Sequence, residues 1–261
     1  MAEPAARGIR TVVLAGGLAM LLVACDAAAP EAASPPPRPA GSVSPSAAPI
    51  PSPILPPTFD RALYSVDDPA SIWVVTNKAR PLDPLDHVPP DLVTAEVPFS
   101  ANSTMRVAAA RAIVELFAAA ALEGAGDMQV QNAYRSFENQ TSLHNSLVVR
   151  LGQEKARAQS ARPGYSEHQT GLSVDIIALP EACSIQACFG DTAQGAWLAE
   201  NAWRFGFILR YPADKTPVTG YIYEPWHFRY VGVELATEMH ETGLTTLEEF
   251  FGLPAAPDYA R

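Results

Sequence analysis

The residues in this sequence best suited to chemistry lie in two short stretches. SEHQTGLSVD (Ser166–Asp175) places one imidazole, His168, and one carboxylate, Asp175, seven positions apart with Gly171 between them. Asp175 is flanked by Val174 and Ile176-Ile177. A charge in an apolar strand is costly unless it is paired or metal-bound, so something cationic is expected beside it. The second stretch, YEPWHFRY (Tyr223–Tyr230), holds Glu224 and His227 three positions apart among aromatics. On a regular strand that odd spacing sends them to opposite faces. Pro225 rules out a regular central strand there, and a turn or bulge at Glu224-Pro225 would bring both groups to one side.

His168, Asp175 and His227 then form a His₂Asp set. Zinc accepts imidazole nitrogen and carboxylate oxygen, and a catalytic zinc keeps three protein ligands with one position open for water. Glu224 is left over beside a ligand, placed to take a proton from that water. Gly171 would let the chain turn between His168 and the strand carrying Asp175. The plainer alternative is that each histidine simply packs against aromatics. Cys183 and Cys188, in CSIQAC, read as a small loop disulfide, the alternative being a pair of zinc thiolates. His87, His144 and His240 fall in no such pattern and read as structural or exposed.

These residues need elements to hold them. Ser71–Asn77 (SIWVVTN) is β-branched and aromatic and predicts a short strand. Asn102–Leu122 predicts a largely buried, alanine-rich helix, capped by Asn102 or Ser103 and stopped by Gly124. Met128–Tyr134 predicts a strand and Glu138–Gln159 a second helix. Gly171–Ile177 predicts the buried strand that bears Asp175. A third helix is expected from an Asp191 cap through Trp203. Strands at Phe205–Tyr211 and Trp226–Val231 follow, then a helix at Val233–His240 and a short apolar piece at Leu247–Phe251. Helices and strands mix without regular βαβ alternation, which predicts an α+β fold built on an antiparallel sheet with flanking helices.

The N-terminal part has a different character. Residues 1–25 carry Arg7 and Arg10 before an apolar run that ends Leu22-Val23-Ala24-Cys25. That is a secretory signal with a lipobox-like end, making Cys25 the expected lipidation site. The apolar run is short of the roughly 20 residues a spanning helix needs. Residues 26–58 are rich in Ala, Pro and Ser and predict a disordered, semi-rigid spacer. Residues 59–261 are enough for one domain with a full core. The whole chain has a formal charge of -10, and removing residues 1–25, with two Arg and one Glu, leaves it near -11. No basic stripe is available for a nucleic-acid partner. An exported domain, tethered to the membrane by lipid and held outside the cytoplasm on a stalk, accounts for this layout.

Taken together, the motifs resemble those of zinc D-alanyl-D-alanine carboxypeptidases of the VanY class. SEHQTGLSVD matches SxHxxGxAxD with Ser173 in place of alanine, and EPWHFRYVG matches ExWHxRY. YRSFENQ (Tyr134–Gln140) matches YRSxxxQ, and Val75–Val93 resembles the segment that opens the family's domain. The resemblance implies the fold shared by zinc DD-peptidases and the hedgehog signalling domain. It implies zinc at His168, Asp175 and His227, with Glu224 as general base. Arg135 would stabilise the carbonyl oxygen or hold substrate, while Ser166 and Gln140 would seat the terminal carboxylate. The implied substrate is a peptidoglycan stem peptide ending in D-alanine, handled by a monomer. LD-carboxypeptidase or DD-endopeptidase activity would use the same set. A non-catalytic wall- or protein-binding domain with a structural metal is the alternative outside enzymes, and Glu224 argues against it.

Overall fold

The computed structural model describes residues 59–259. The signal at 1–25, Cys25 and the spacer at 26–58 lie outside the described residues. A two-stranded hairpin, β1 (Leu92–Thr94) and β2 (Thr104–Arg106), leads into helix α1 (Val107–Leu122). Strand β3 (Met128–Asn132), helices α2 (Phe137–Leu151) and α3 (Gln153–Gln159) and strand β4 (Ser173–Ala178) come next. Helix α4 (Ala193–Asn201), strand β5 (Phe207–Leu209) and a single turn, α5 (Thr216–Thr219), precede strand β6 (His227–Tyr230). Helices α6 (Val233–Thr242) and α7 (Leu247–Phe251) close the described chain. No helix among the described residues is long and apolar enough to cross a membrane.

The central sheet has the order β3-β4-β6-β5 with every neighbouring pair antiparallel. This is the α+β architecture that the unalternating element pattern predicts. Successive side chains on a strand point to opposite faces. One face presents Val130, Val174, Ile176, Phe207 and Phe228 to Ile113 and Leu116 of α1 and Leu198 of α4, forming the main core. The other face carries Asp175 directly opposite His227, and Ser173 opposite Arg229. A single register therefore gives β4 and β6 both an apolar layer and a polar one. A second core of Trp73, Val75, Ile208, Leu235, Met239, Leu247 and Phe250 holds α6 and α7.

Several boundaries depart from the sequence pattern. Residues 71–77 form no strand, though 73–77 are buried. Their carbonyls are taken by arginine side chains: Arg229 donates to Ile72 and Val74, and Arg80 to Val75. The apolar content that predicts a strand there instead fills the second core. The predicted start of α1 also shifts. Asn102 accepts from the Thr104 amide and Ser103 donates to the Ala95 carbonyl, so both serve the hairpin, and the helix begins after Arg106 without a side-chain cap. Gly124, at φ +78°, follows the helix end as expected. The predicted 138–159 helix breaks at Gly152, whose φ of 80° and ψ of 159° interrupt the ladder. Thr192, rather than Asp191, caps α4 by accepting from the Gly195 amide. Trp203 lies in the 3₁₀ turn beyond that helix.

Candidate metal centre

Each site residue is held by a different local device. His168 sits in a 3₁₀ turn, Glu167–Thr170, ended by Gly171 at φ +66°, a left-handed conformation glycine adopts without strain. Asp175 and His227 face each other across the β4–β6 ladder. Glu224 reaches the same place by a turn, in which the His227 amide donates to the Glu224 carbonyl at 3.0 Å. The turn at Glu224-Pro225 that the sequence calls for is therefore present, and it puts the odd-spaced pair on one side of the sheet. Arg135 is tied to the His168 loop by its own amide, which donates to the His168 carbonyl at 3.2 Å.

The three side chains predicted to share an ion converge. One ligand atom from each of His168, Asp175 and His227 lies within 4.8 Å of the others, and all three residues are buried. The His168 Nδ1 is 2.7 Å from the Ala133 carbonyl, so that nitrogen carries the hydrogen and Nε2 presents its lone pair to the site. Nε2 stands 3.2 Å from Asp175 Oδ2. A lone pair and a carboxylate oxygen repel at that distance unless a proton or a cation lies between them. His227 Nδ1 lies 3.1 Å from Asp175 Oδ1. Two imidazole nitrogens and one carboxylate converging on one point suit zinc or a similar borderline cation.

The electrostatics point the same way. Burial raises the Asp175 carboxyl, but His168 and His227 outweigh it and hold the group well below the usual carboxylate range. Burial alone would lower His227; the Asp175 and Glu167 carboxylates beside it lift it to about 9. The His168 imidazole is lowered, chiefly by burial. Burial pushes the Glu224 carboxyl up to about 8, with His227 pulling it down and Asp175 adding repulsion. The carboxylates here favour positive charge, and a divalent cation would meet that demand and draw Glu224 toward its ionised form.

Around these groups lies a cleft of about 1010 Å³. Glu224, Arg135, Ser166, Tyr134, Tyr211 and Trp226 are among the residues lining it. Among the described residues no protein group hydrogen-bonds the Glu224 carboxylate, which leaves both oxygens for water or substrate. Arg135 approaches Asp175 at 3.9 Å and donates to Gln140 Oε1 at 2.9 Å. Gln140 departs from its expected place. Its amide hydrogens are committed to Ser160 Oγ and the Ala161 carbonyl, so it braces Arg135 from behind instead of facing the cleft. Cys183 and Cys188 are disulfide-bonded, as the first reading of CSIQAC predicts, which removes them as zinc thiolates. Ile185–Ala187, inside that small ring, form part of the cleft wall. His240 stacks on Trp203 at 4.1 Å, and His87 and His144 contribute nothing to the cleft lining.

The family model described as VanY, D-alanyl-D-alanine carboxypeptidase, matches residues 102–233, which include every residue of the candidate centre. The chain belongs to the VanY family. YodJ of Bacillus subtilis (strain 168), a protein with a provisional carboxypeptidase name, is 39% identical over 194 residues, 72% of this VanY-family chain and 70% of its own length. The solved structure of the LdcB LD-carboxypeptidase superposes with a TM-score of 0.65 at 39% identity, covering 70% of this chain and 87% of that one. VanYB in complex with D-alanine-D-alanine gives a TM-score of 0.54 at 34% identity, covering 69% and 96%. The VanY-family chain is a hydrolase of the carboxypeptidase kind, and its sheet and helices follow the zinc DD-peptidase fold.

Sequence reasoning passed over Glu167, Arg210, Arg229 and Glu248, four buried charged groups behind the site. A signal existed. Arg210 follows the apolar FIL of β5, Arg229 alternates with His227, and Glu167 adjoins His168. Each is a charge in a buried element, the same anomaly that marks Asp175.

Proposed function

We propose that this chain is a zinc carboxypeptidase that removes the C-terminal D-alanine from peptidoglycan stem peptides. The observation that carries the reading is the convergence of His168, Asp175 and His227 beside the unpartnered carboxylate of Glu224. Zinc bound by the three would supply Lewis acidity toward the attacking water and the scissile carbonyl. Glu224 accepts the proton of that water and delivers it to the departing amine, so one carboxylate serves both halves of the reaction. The Arg135 guanidinium, braced by Gln140, faces negative charge as it develops on the carbonyl oxygen or holds the substrate carboxylate. Ser166 lines the cleft and is placed to donate to the terminal carboxylate. The lipobox-like Cys25 and the disulfide support export and membrane tethering beside the wall polymer.

Cleavage of tetrapeptides at an LD bond is the second reading, favoured by the higher TM-score and identity to LdcB than to VanYB. Purified full-length chain supplied with peptides ending in D-Ala-D-Ala or in L-Lys-D-Ala separates the two by which one releases D-alanine. A chelator should abolish release and added zinc restore it. Glu224→Gln should retain zinc and lose at least ~10²-fold in kcat. A zinc-loaded E224Q protein with full activity removes Glu224 from the mechanism.

A further inference from the structure

His227 has two ring nitrogens, and only one faces Asp175. Nδ1 lies 3.1 Å from Asp175 Oδ1 and is the nitrogen turned to the candidate metal position. Nε2 points away, is buried, and has no hydrogen-bond partner within ordinary geometry among the described residues. A carboxylate oxygen, Glu167 Oε2, stands 3.5 Å from it. We propose that Glu167 is a positioning residue: its carboxylate holds the Nε2–H of His227 and turns the opposite nitrogen, Nδ1, toward the metal. The inference rests on the metal reading above and adds to it a named partner for one ligand.

The way Glu167 is held supports this role. Its Oε1 accepts from Arg210 Nε at 2.7 Å and from Arg229 Nη1 at 3.1 Å. Among the described residues its Oε2 accepts only the Ser173 hydroxyl, at 3.2 Å, and keeps a lone pair for the imidazole. Arg210 is itself gripped by both oxygens of Glu248, at 2.7 and 2.9 Å, and Glu248 accepts from Asn77 at 2.8 Å. All of these side chains are buried, so the carboxylate cannot swing to solvent. A ligating imidazole whose second nitrogen donates to a fixed carboxylate is held in one tautomer and one ring orientation, and it is a more basic ligand.

The test compares Glu167→Gln with Glu248→Gln in the full-length chain. Both remove one charge from Arg210, but only the first touches His227. In E167Q the amide oxygen stays with the two arginines, which leaves its NH₂ facing Nε2–H, donor against donor. Zinc affinity is read by competition with a chromophoric chelator, with folding checked by circular dichroism. E167Q should bind zinc about 10- to 100-fold more weakly, while E248Q should stay within a few-fold of wild type. Equal weakening in both variants, or none in E167Q, overturns the proposal. If E167Q fails to fold, the wild-type protein decides. In the zinc-loaded state, long-range ¹H–¹⁵N correlation should show the His227 proton on Nε2, downfield and slow to exchange. A proton on Nδ1 instead overturns the proposal. Wild-type chain that binds no zinc sinks the metal reading itself, and this inference with it.

Discussion

Asp175 and His227 meet because strand register puts them opposite each other, but Arg135 reaches the site by a less direct route. Gln140 accepts from its Nη1 on one side and is pinned by Ser160 and Ala161 on the other. Removing that acceptor leaves a half-buried guanidinium with a free donor and a looser position. Glu224 and the three ligands are untouched. Gln140→Leu should therefore retain zinc and lose about 10- to 100-fold in kcat/KM, since misplacement by about an ångström costs of that order. Steady-state kinetics alongside metal analysis checks this, and full activity would exclude a bracing role. The ligand set was readable in the sequence because metal ligation restricts residue type and because Asp175 is a charge inside an apolar strand. The link between Gln140 and Arg135 was not. It depends on a strand end and a helix start meeting at an angle that no spacing rule encodes.

The break between α2 and α3 follows from one residue. Gly152 has φ 80° and ψ 159°, a region essentially closed to residues with a Cβ. Nothing lies within 4 Å of a Cβ built there, so the restriction is conformational and not steric crowding by neighbours. Gly152→Ala should destabilise the domain by about 1–3 kcal/mol, measured by chemical denaturation, with zinc binding preserved. An unchanged midpoint would mean that the two helices are joined by some other backbone path. Element existence was mostly legible in the sequence, since an alanine-rich run marks α1 and an apolar, β-branched run marks β4. Element ends were not. At 71–77 the carbonyls of Ile72 and Val74 are satisfied by Arg229, more than 150 positions away, and at Gly152 a continuous polar pattern hides a break in the helix.

At the scale of the whole molecule, the feature that joins site to scaffold is the buried charge chain Asn77–Glu248–Arg210–Glu167–Arg229. It ties the 71–80 segment, α7, β5, the His168 turn and β6 together. Its members lie as far as 171 positions apart, which is why no window of sequence displays it. Burial opposes ionisation of Glu167 and Glu248, but the arginines outweigh it and hold both carboxyls below their usual range. The sign of the linkage follows. Groups with depressed folded-state pKa values contribute stability that is fully present above the unfolded value of about 4.3 and is lost as pH falls toward the folded values. The contribution of these two carboxyls to the wild-type midpoint temperature should stay level from about pH 7 to about pH 5 and fall steeply below about pH 4. Glu248→Gln removes one carboxyl and leaves Arg210 half-compensated in a buried site. It should cost about 3 kcal/mol at neutral pH, as breaking a buried pair does. Its acid limb should also be shallower than that of wild type, because one of the titrating groups is gone. Thermal melts across pH in both proteins test this. Parallel acid limbs would show that Glu248 gives up no pairing on protonation, and the acid loss would then belong to Glu167, whose pairs with Arg210 and Arg229 do not involve Glu248.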